Sequence, residues 1–312
     1  MLFRQERMGS VTLQGPPSSL DSIGLGILVN IIWGTTFLAS SVTLHAWSPT
    51  TASAIRFVIA IPCLYLVGRL MGARLQVPRG RHALLWLIFV AASAYGCLYP
   101  LQLGGLKKIP TSLSAIIMFT SPLFVLIASR VALGNRFSRT NVIAVGLGIV
   151  GGGVLLGPKL AALSEVTLNT NFALGAAQTM AAALLLGVSV VGTKALSRTM
   201  DPFSITFWSM SLGTLMLVAV AGFQDGWQLP RFDDSSAVVA VVYLATICSA
   251  VAFWVWNRAI SNSSAQNVSM TMHVKTPVAV ALGVSLGREP FGASVLLGLL
   301  IISFAVYLSS RT

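Results

Sequence analysis

The stretch SLSAIIMFTSPLFVLIASRVAL, residues 112–133, contains one charged side chain, Arg130, among 22 residues. An apolar run of about 20 residues is long enough to cross the hydrocarbon core of a bilayer as a helix. Nine similar runs can be drawn along the chain. The predicted spans are residues 22–44, 50–71, 83–104, 112–133, 139–157, 173–197, 202–223, 235–257, 265–287 and 291–309. Membrane strands would be short and alternating, so the sequence predicts an all-α membrane protein of ten transmembrane helices.

Composition points to the same class of protein. Hydrophobic residues make up 55% of the 312 residues and charged residues only 9%, whereas a soluble domain carries about a quarter charged residues. The net charge of +12 would suit nucleic acid, but the basic residues lie in short loops and do not form one amphipathic face. We therefore predict no nucleic-acid partner, and contact with membrane lipid instead.

The distribution of loop charge predicts the orientation. More Lys and Arg residues lie in loops on the same side of the membrane as the N-terminus than in loops on the opposite side. Arg74, Arg79 and Arg136 are examples of the first group, and Lys107 and Lys108 of the second. The positive-inside rule then places both termini in the cytoplasm. Residues 1–21 contain no apolar core of a signal peptide and are predicted to be a disordered cytoplasmic tail.

The chain repeats itself. A shift of 153 residues pairs Gly34 with Gly187 and Pro49 with Pro202. A shift of 155 pairs three further positions, Tyr99 with Trp254, Gln102 with Asn257 and Pro122 with Pro277. Because each half has an odd number of spans, the two copies must be inserted in opposite directions. The prediction is two inverted five-helix repeats, residues 22–157 and 173–309, joined by a periplasmic loop at 158–172.

Several of these stretches resemble a known family. WGTTFLASSV (33–42), TTASAIRFVIA (50–60) and SLSAIIMFTSPLFVLIASRVALGN (112–135) are similar to the first half of an EamA-type member of the drug/metabolite transporter superfamily. SMTMHVKTPVAVALGVSLGREP (269–290) is similar to the matching part of the second half. Within that superfamily the chain most resembles bacterial inner-membrane exporters of aromatic and other neutral amino acids. One departure is Asn135, where the family usually has Glu; its repeat mate Glu289 is kept.

Motifs for enzyme or metal chemistry are lacking in the sequence. His45, His82 and His273 are far apart, and no nucleophile elbow or phosphate-binding Gly-rich loop is found. Cysteines at 63, 97 and 248 lie inside apolar runs without metal-ligand spacing. We expect no enzyme activity, no cofactor and no metal.

Polar groups inside spans are the candidate binding residues, because each is costly in a bilayer unless it faces water or a partner. On a regular helix Asn267, Thr271 and Lys275 would form one polar stripe. Pro277 would weaken the same helix and free carbonyl groups. Lys275 suits a substrate carboxylate, while His273 would point about 200° away and is favoured as a helix–helix hydrogen-bonding group, with substrate contact as the alternative.

A second set of candidates is aromatic or amide. Tyr95, Tyr99 and Gln102 share one face of the third span, and the repeat places Trp254 and Asn257 opposite in the eighth. These rings could stack on an apolar substrate, or they could be core packing. The complete set of predicted substrate-binding residues is Lys275, Tyr95, Tyr99, Trp33, Gln102, Trp254, Asn257, Thr271, Asn267 and His273. Arg56, Pro122 and Pro277 are predicted to have gating or structural roles.

Together these observations predict a secondary transporter of the bacterial inner membrane, acting as a monomer by alternating access. Its substrate would be a small metabolite, with amino acids, aromatic and other neutral ones, favoured and facilitated uniport the simplest energetics. A multidrug or other metabolite exporter of the same superfamily, with proton coupling, is the alternative. A membrane sensor or intramembrane enzyme is the non-transport alternative, although no soluble domain or catalytic cluster supports it.

Overall fold

The computed structural model describes residues 19–109, 111–136, 138–161, 170–226, 231–285 and 292–310, and these contain helices and no strand. The predicted tail at 1–21 lies almost wholly outside the described residues, as does the centre of the predicted loop at 158–172. The helices are α1 (Ser19–Ala46), α2 (Pro49–Leu70), α3 (Arg81–Val90), α4 (Leu98–Leu106), α5 (Thr111–Met118), α6 (Ser121–Leu133), α7 (Arg139–Ala161), α8 (Thr170–Leu196), α9 (Pro202–Asp225), α10 (Ser235–Ala245), α11 (Ala252–Asn262), α12 (Ala265–Met270), α13 (Lys275–Ser285) and α14 (Ala293–Ser310).

Many of these helices have the length and composition of membrane spans. Six helical stretches within the described residues qualify by both criteria: Asp21–Ala46, Pro49–Leu70, Arg81–Leu106, Thr170–Leu196, Pro202–Asp225 and Ser235–Asn262. Shorter apolar helices cover Ser121–Leu133, Arg139–Leu155 and Ala293–Leu308. The chain is therefore an all-helical membrane protein that crosses the bilayer several times.

Two helices in corresponding places of the two halves begin in the same way. The Ser48 side chain accepts a hydrogen bond from the Thr51 amide and Pro49 opens α2. In the second half Asp201 accepts from the Ser204 amide and Pro202 opens α9. The polar N-cap side chain accepts a hydrogen bond from one free backbone N–H, and the proline has no N–H that needs an acceptor. Together they fix the start of each helix.

A π-helical segment interrupts the third long helix of each half. It runs from Ala91 to Cys97 between α3 and α4, and from Thr246 to Val251 between α10 and α11. Their first residues are 155 apart, the shift that pairs Gln102 with Asn257. Single π-helical turns inside α-helices are rare and are frequent at functional sites.

The next predicted span of each half is broken rather than continuous. α5 ends at Met118 and α6 begins at Ser121, with Pro122 in its first turn. In the second half a 3₁₀ turn, Thr271–Val274, separates α12 from α13, and Pro277 lies in the first turn of α13. Proline has no amide hydrogen to continue the preceding helix but fits the first turn of a new one, which suits Pro122 and Pro277 to these two breaks.

Glycines allow helices of the two halves to pack closely against each other. A Cβ atom added at Gly34 of α1 would lie 2.7 Å from the Lys275 carbonyl oxygen, at the start of α13. One added at Gly187 of α8 would lie 2.9 Å from the Ser121 carbonyl oxygen, at the start of α6. Each long helix thus lies against the break in the other half, at a distance that only glycine permits.

The remaining pair, α7 and α14, packs together along its length. A Cβ added at Gly151 of α7 would lie 2.9 Å from the Ile302 side chain, and Gly298 of α14 lies directly against Leu155. Small residues on both helices allow this close approach.

Candidate functional site

A cavity of about 300 Å³ lies between helices of both halves. Its walls come from α1, α2, α8 and α11, from the helix that contains the π segment Ala91–Cys97, and from the break before α13. Ligand sites in proteins begin at about this volume. A cavity of this size suits a small metabolite.

Five aromatic side chains line the cavity: Trp33, Tyr95, Tyr99, Phe253 and Trp256. Trp33 lies at the centre of this group, with its ring centroid 5.1 Å from that of Phe253 and 5.2 Å from that of Trp256. Tyr95 contacts Phe253 at 5.1 Å. Such tilted contacts hold each ring in place, so the aromatic wall is formed before any ligand enters.

Lys275 is the first residue of α13, at the helix break, and its side chain lines the cavity. It forms no hydrogen bond or ion pair with any residue that the structure describes. A cation without a partner inside a membrane protein is costly. An anionic group inside the cavity would offset that cost.

Arg56 also lines the cavity but is already engaged. Its Nε donates to the Ser249 hydroxyl at 2.7 Å, and its Nη2 donates to the Cys248 carbonyl oxygen at 3.3 Å. The Trp33 indole N–H donates to the same oxygen at 3.0 Å. Both acceptors lie in the π segment Thr246–Val251, so Arg56 and Trp33 fasten the first half to an irregular turn of the second.

The two amide residues paired by the repeat, Gln102 and Asn257, both line the cavity. The Asn257 Nδ2 donates to the Thr206 hydroxyl at 2.8 Å. That contact holds the Asn257 amide against α9.

The other predicted residues lie away from the cavity. Trp254 packs on Phe203, with ring centroids 5.3 Å apart. Asn267 accepts a hydrogen bond from Asn141 at 3.1 Å. Thr271 accepts from the Asn30 amide at 3.1 Å.

His273 is buried, with 1% of its surface exposed, and it stacks on Phe119 at 5.3 Å. Neither of its ring nitrogens has a partner among the described residues.

Pro122 is buried and Pro277 is half-buried at the two helix breaks, and neither lines the cavity. Their position suits a role in helix geometry rather than ligand contact.

Sequence reasoning missed Phe253 and Trp256. Phe253 lies four residues before Asn257, a spacing that places two side chains on one helical face, and this signal was available. The repeat instead drew attention to Trp254, which matches Tyr99 in sequence but sits about 100° around the helix from Phe253.

No acidic side chain lines the cavity among the residues that the structure describes. Asp201, Asp225, Asp233 and Asp234 lie at helix ends or in loops. Asp234 caps α10, and hydrogen bonds from Ser236 and Ala237 lower the pKa of its carboxyl group. The described residues also contain no group of three His, Cys, Asp or Glu that could hold a metal ion.

The EamA-like transporter family matches residues 21–157 and again residues 173–311. The chain belongs to this family. The family is part of the drug/metabolite transporter superfamily, so the resemblance inferred from the quoted motifs is confirmed.

Relatives of this EamA-like transporter are also named as transporters. It is similar to the Uncharacterized inner membrane transporter YedA of Escherichia coli (strain K12), 26% identical over 287 residues, covering 89% of this chain and 87% of that protein. It is also similar to a Probable terminal-alkyne amino-acid exporter of Streptantibioticus cattleyicolor, 23% identical over 292 residues and 92% of each chain. A solved crystal structure shares the fold with a TM-score of 0.78 at 19% identity, over 94% of this chain and 99% of that one.

Membership fixes the broad function. The EamA-like transporter is a multi-pass membrane protein that moves a small molecule, and the family and the names of its relatives indicate a transporter rather than an enzyme.

Proposed function

We propose that this EamA-like transporter exports small metabolites that carry a carboxylate, with amino acids, aromatic and other neutral ones, as the favoured substrates. The observation that carries the proposal is Lys275, which has no partner among the described residues and lines a cavity walled by five aromatic rings. The Lys275 ammonium would bind the carboxylate through a charge-assisted hydrogen bond. One relative bears the name of an amino-acid exporter, which supports the same substrate class.

The aromatic wall sets the preference for the rest of the substrate. Trp33, Tyr99 and Trp256 would stack on a ring or cover an aliphatic side chain, and Gln102 and Asn257 would meet polar groups. Trp254, Asn267, Thr271 and His273 act in helix packing under this proposal, because their contacts lie outside the cavity.

The proposal includes ten spans as two inverted five-helix repeats, with both termini in the cytoplasm of a bacterium and the chain in its inner membrane. The π segments, the proline breaks and the N-caps that recur in both halves support it. One chain suffices, because the cavity lies within it. Val190, Trp256 and Met272 line the cavity and are buried, with at most 3% of each exposed.

A labelling experiment tests this orientation. In a background with the three native cysteines replaced by alanine, Val77→Cys lies in the exposed loop after α2 and Ser236→Cys at the exposed start of α10. A membrane-impermeant maleimide should label Ser236→Cys in intact spheroplasts but Val77→Cys only after lysis. Cysteines near Ser10 and Arg311, outside the described residues, should behave like Val77→Cys. Labelling of both loop positions from one side would contradict the inverted arrangement.

Uptake by the purified protein tests the transport proposal and its energetics together. Proteoliposomes should take up labelled phenylalanine faster than empty liposomes do, and only until the two sides are equal. An imposed pH gradient should not change that end point, because no Asp or Glu among the described residues lines the cavity. Uptake no faster than in empty liposomes would overturn the function. Concentrative uptake driven by the proton gradient would replace uniport with coupled transport.

A further inference from the structure

We infer that the cavity prefers aromatic carboxylates whose amino group is acylated or missing over zwitterionic amino acids. The inference rests on the proposed function, because both place a substrate carboxylate at Lys275. It revises the favoured substrate within that class, from amino acids with no net charge to carboxylates with a net negative charge. N-acylated aromatic amino acids and aromatic 2-oxo or arylalkanoic acids are the chemical classes concerned.

The first argument is the balance of charge. Lys275 and Arg56 both line the cavity, and no acidic side chain does so among the described residues. An ammonium group brought into this space would face two cations and lose its hydration without gaining a counter-ion. A carboxylate, in contrast, is attracted by both cations. Binding of a zwitterion therefore gains electrostatic free energy at its carboxylate and loses it at its ammonium group. A monoanion has only the favourable contribution.

The second argument is the lack of a strong acceptor. A carbonyl oxygen in a π-helical turn could bind an ammonium group without an acid. The Cys248 carbonyl oxygen, which two lining side chains reach, already accepts from Arg56 at 3.3 Å and from Trp33 at 3.0 Å. The groups that remain among the described lining residues to receive a cation are hydroxyl oxygens, amide oxygens and aromatic ring faces, all of them neutral. Each of these stabilises an ammonium group less than a carboxylate does.

The third argument is a surplus of donors. Arg56 uses Nε and Nη2 for Ser249 and Cys248, and a guanidinium group has five N–H donors. The Trp256 indole N–H forms no hydrogen bond with a described residue, although the ring lines the cavity. A second carbonyl on the ligand, such as that of an acylated amine or a 2-oxo acid, would find donors there. An ammonium group, which is itself a donor, would not.

Calorimetric titration of the full chain in lipid nanodiscs tests the inference with four probes that share one ring: N-acetylphenylalanine, 3-phenylpropionate, phenylalanine and phenethylamine. We expect the first two to bind with a Kd at least tenfold lower than that of phenylalanine, and phenethylamine not to bind. N-acetylphenylalanine amide, which adds the acetyl group without the anion, should bind at least tenfold more weakly than N-acetylphenylalanine.

The Lys275→Met variant separates failure of the inference from failure of the proposed function. It should weaken N-acetylphenylalanine binding at least tenfold. If phenylalanine binds as tightly as N-acetylphenylalanine and loses its affinity in Lys275→Met, the preference for anions is refuted and the proposed function stands. If none of the three carboxylates binds, or if N-acetylphenylalanine amide binds as well as N-acetylphenylalanine, both the inference and the proposed function are refuted.

Discussion

Lys275→Met should reduce phenylalanine uptake by reconstituted protein about tenfold or more. A charge-assisted hydrogen bond contributes about 1.5–3 kcal/mol, and each 1.4 kcal/mol corresponds to roughly a factor of ten in affinity. The amount of folded protein should not fall, because Lys275 forms no hydrogen bond or ion pair with the described residues and methionine removes an intramembrane charge. Initial uptake rates in proteoliposomes, normalised to protein content, measure the effect.

Lys108→Met is the matched control for this variant. Lys108 lies near the end of a span and does not line the cavity, and its ammonium donates to Gln178 at 2.8 Å and to the Gly104 carbonyl oxygen at 3.3 Å. Its replacement should leave uptake within about twofold of the parent protein, since its two contacts are partly exposed and lie outside the cavity. Undiminished uptake by Lys275→Met, or an equal loss in Lys108→Met, would remove the carboxylate role of Lys275.

Gly34→Ala should lower the thermal stability of the protein and abolish most of its transport. The new methyl group would lie 2.6 Å from the Val278 Cβ and 2.7 Å from the Lys275 carbonyl oxygen, so α1 and α13 must move apart. Overpacking of this kind costs about 1–3 kcal/mol, and the displaced element carries Lys275. The amount of monodisperse protein that remains after heating measures the loss of stability, and phenylalanine uptake by proteoliposomes measures the loss of transport.

Gly24→Ala in the same helix is the control, because a Cβ atom there would meet nothing within 4 Å. It should be neutral or slightly stabilising, since alanine favours the helix by about 1 kcal/mol over glycine. A Gly34→Ala protein as stable as Gly24→Ala would show that the contact of α1 with the break before α13 can relax without cost.

The helices and the family were predictable because their signals are long and redundant. A run such as 112–133 remains apolar whatever its local geometry, and hydropathy summed over that length identifies the span. The two π segments left no such signal. No residue type marks the change from i→i+4 to i→i+5 hydrogen bonding, so Ala91–Cys97 and Thr246–Val251 read as ordinary helix.

The residues of the candidate site could be predicted where a single unusual side chain inside a span was enough to identify them. They could not be predicted where the assignment depended on regular helix geometry. Lys275, Arg56 and Trp33 were identified as costly or unusual groups inside spans, and all three line the cavity. The expected stripe of Asn267, Thr271 and Lys275 assumed 3.6 residues per turn. The 3₁₀ turn Thr271–Val274 has three, so the four-residue spacing no longer aligns, and Asn267 and Thr271 face other helices.

The paired π segments also bear on the history of the chain. A π-helical turn contains one residue more than an α-helical turn, which is what the insertion of one codon into the gene segment for a regular helix would produce. The insertion occurs in both halves, at first residues Ala91 and Thr246, 155 positions apart. Two independent insertions at matching places are far less economical than one. Duplication and fusion of one gene that already encoded this irregular turn would produce the match.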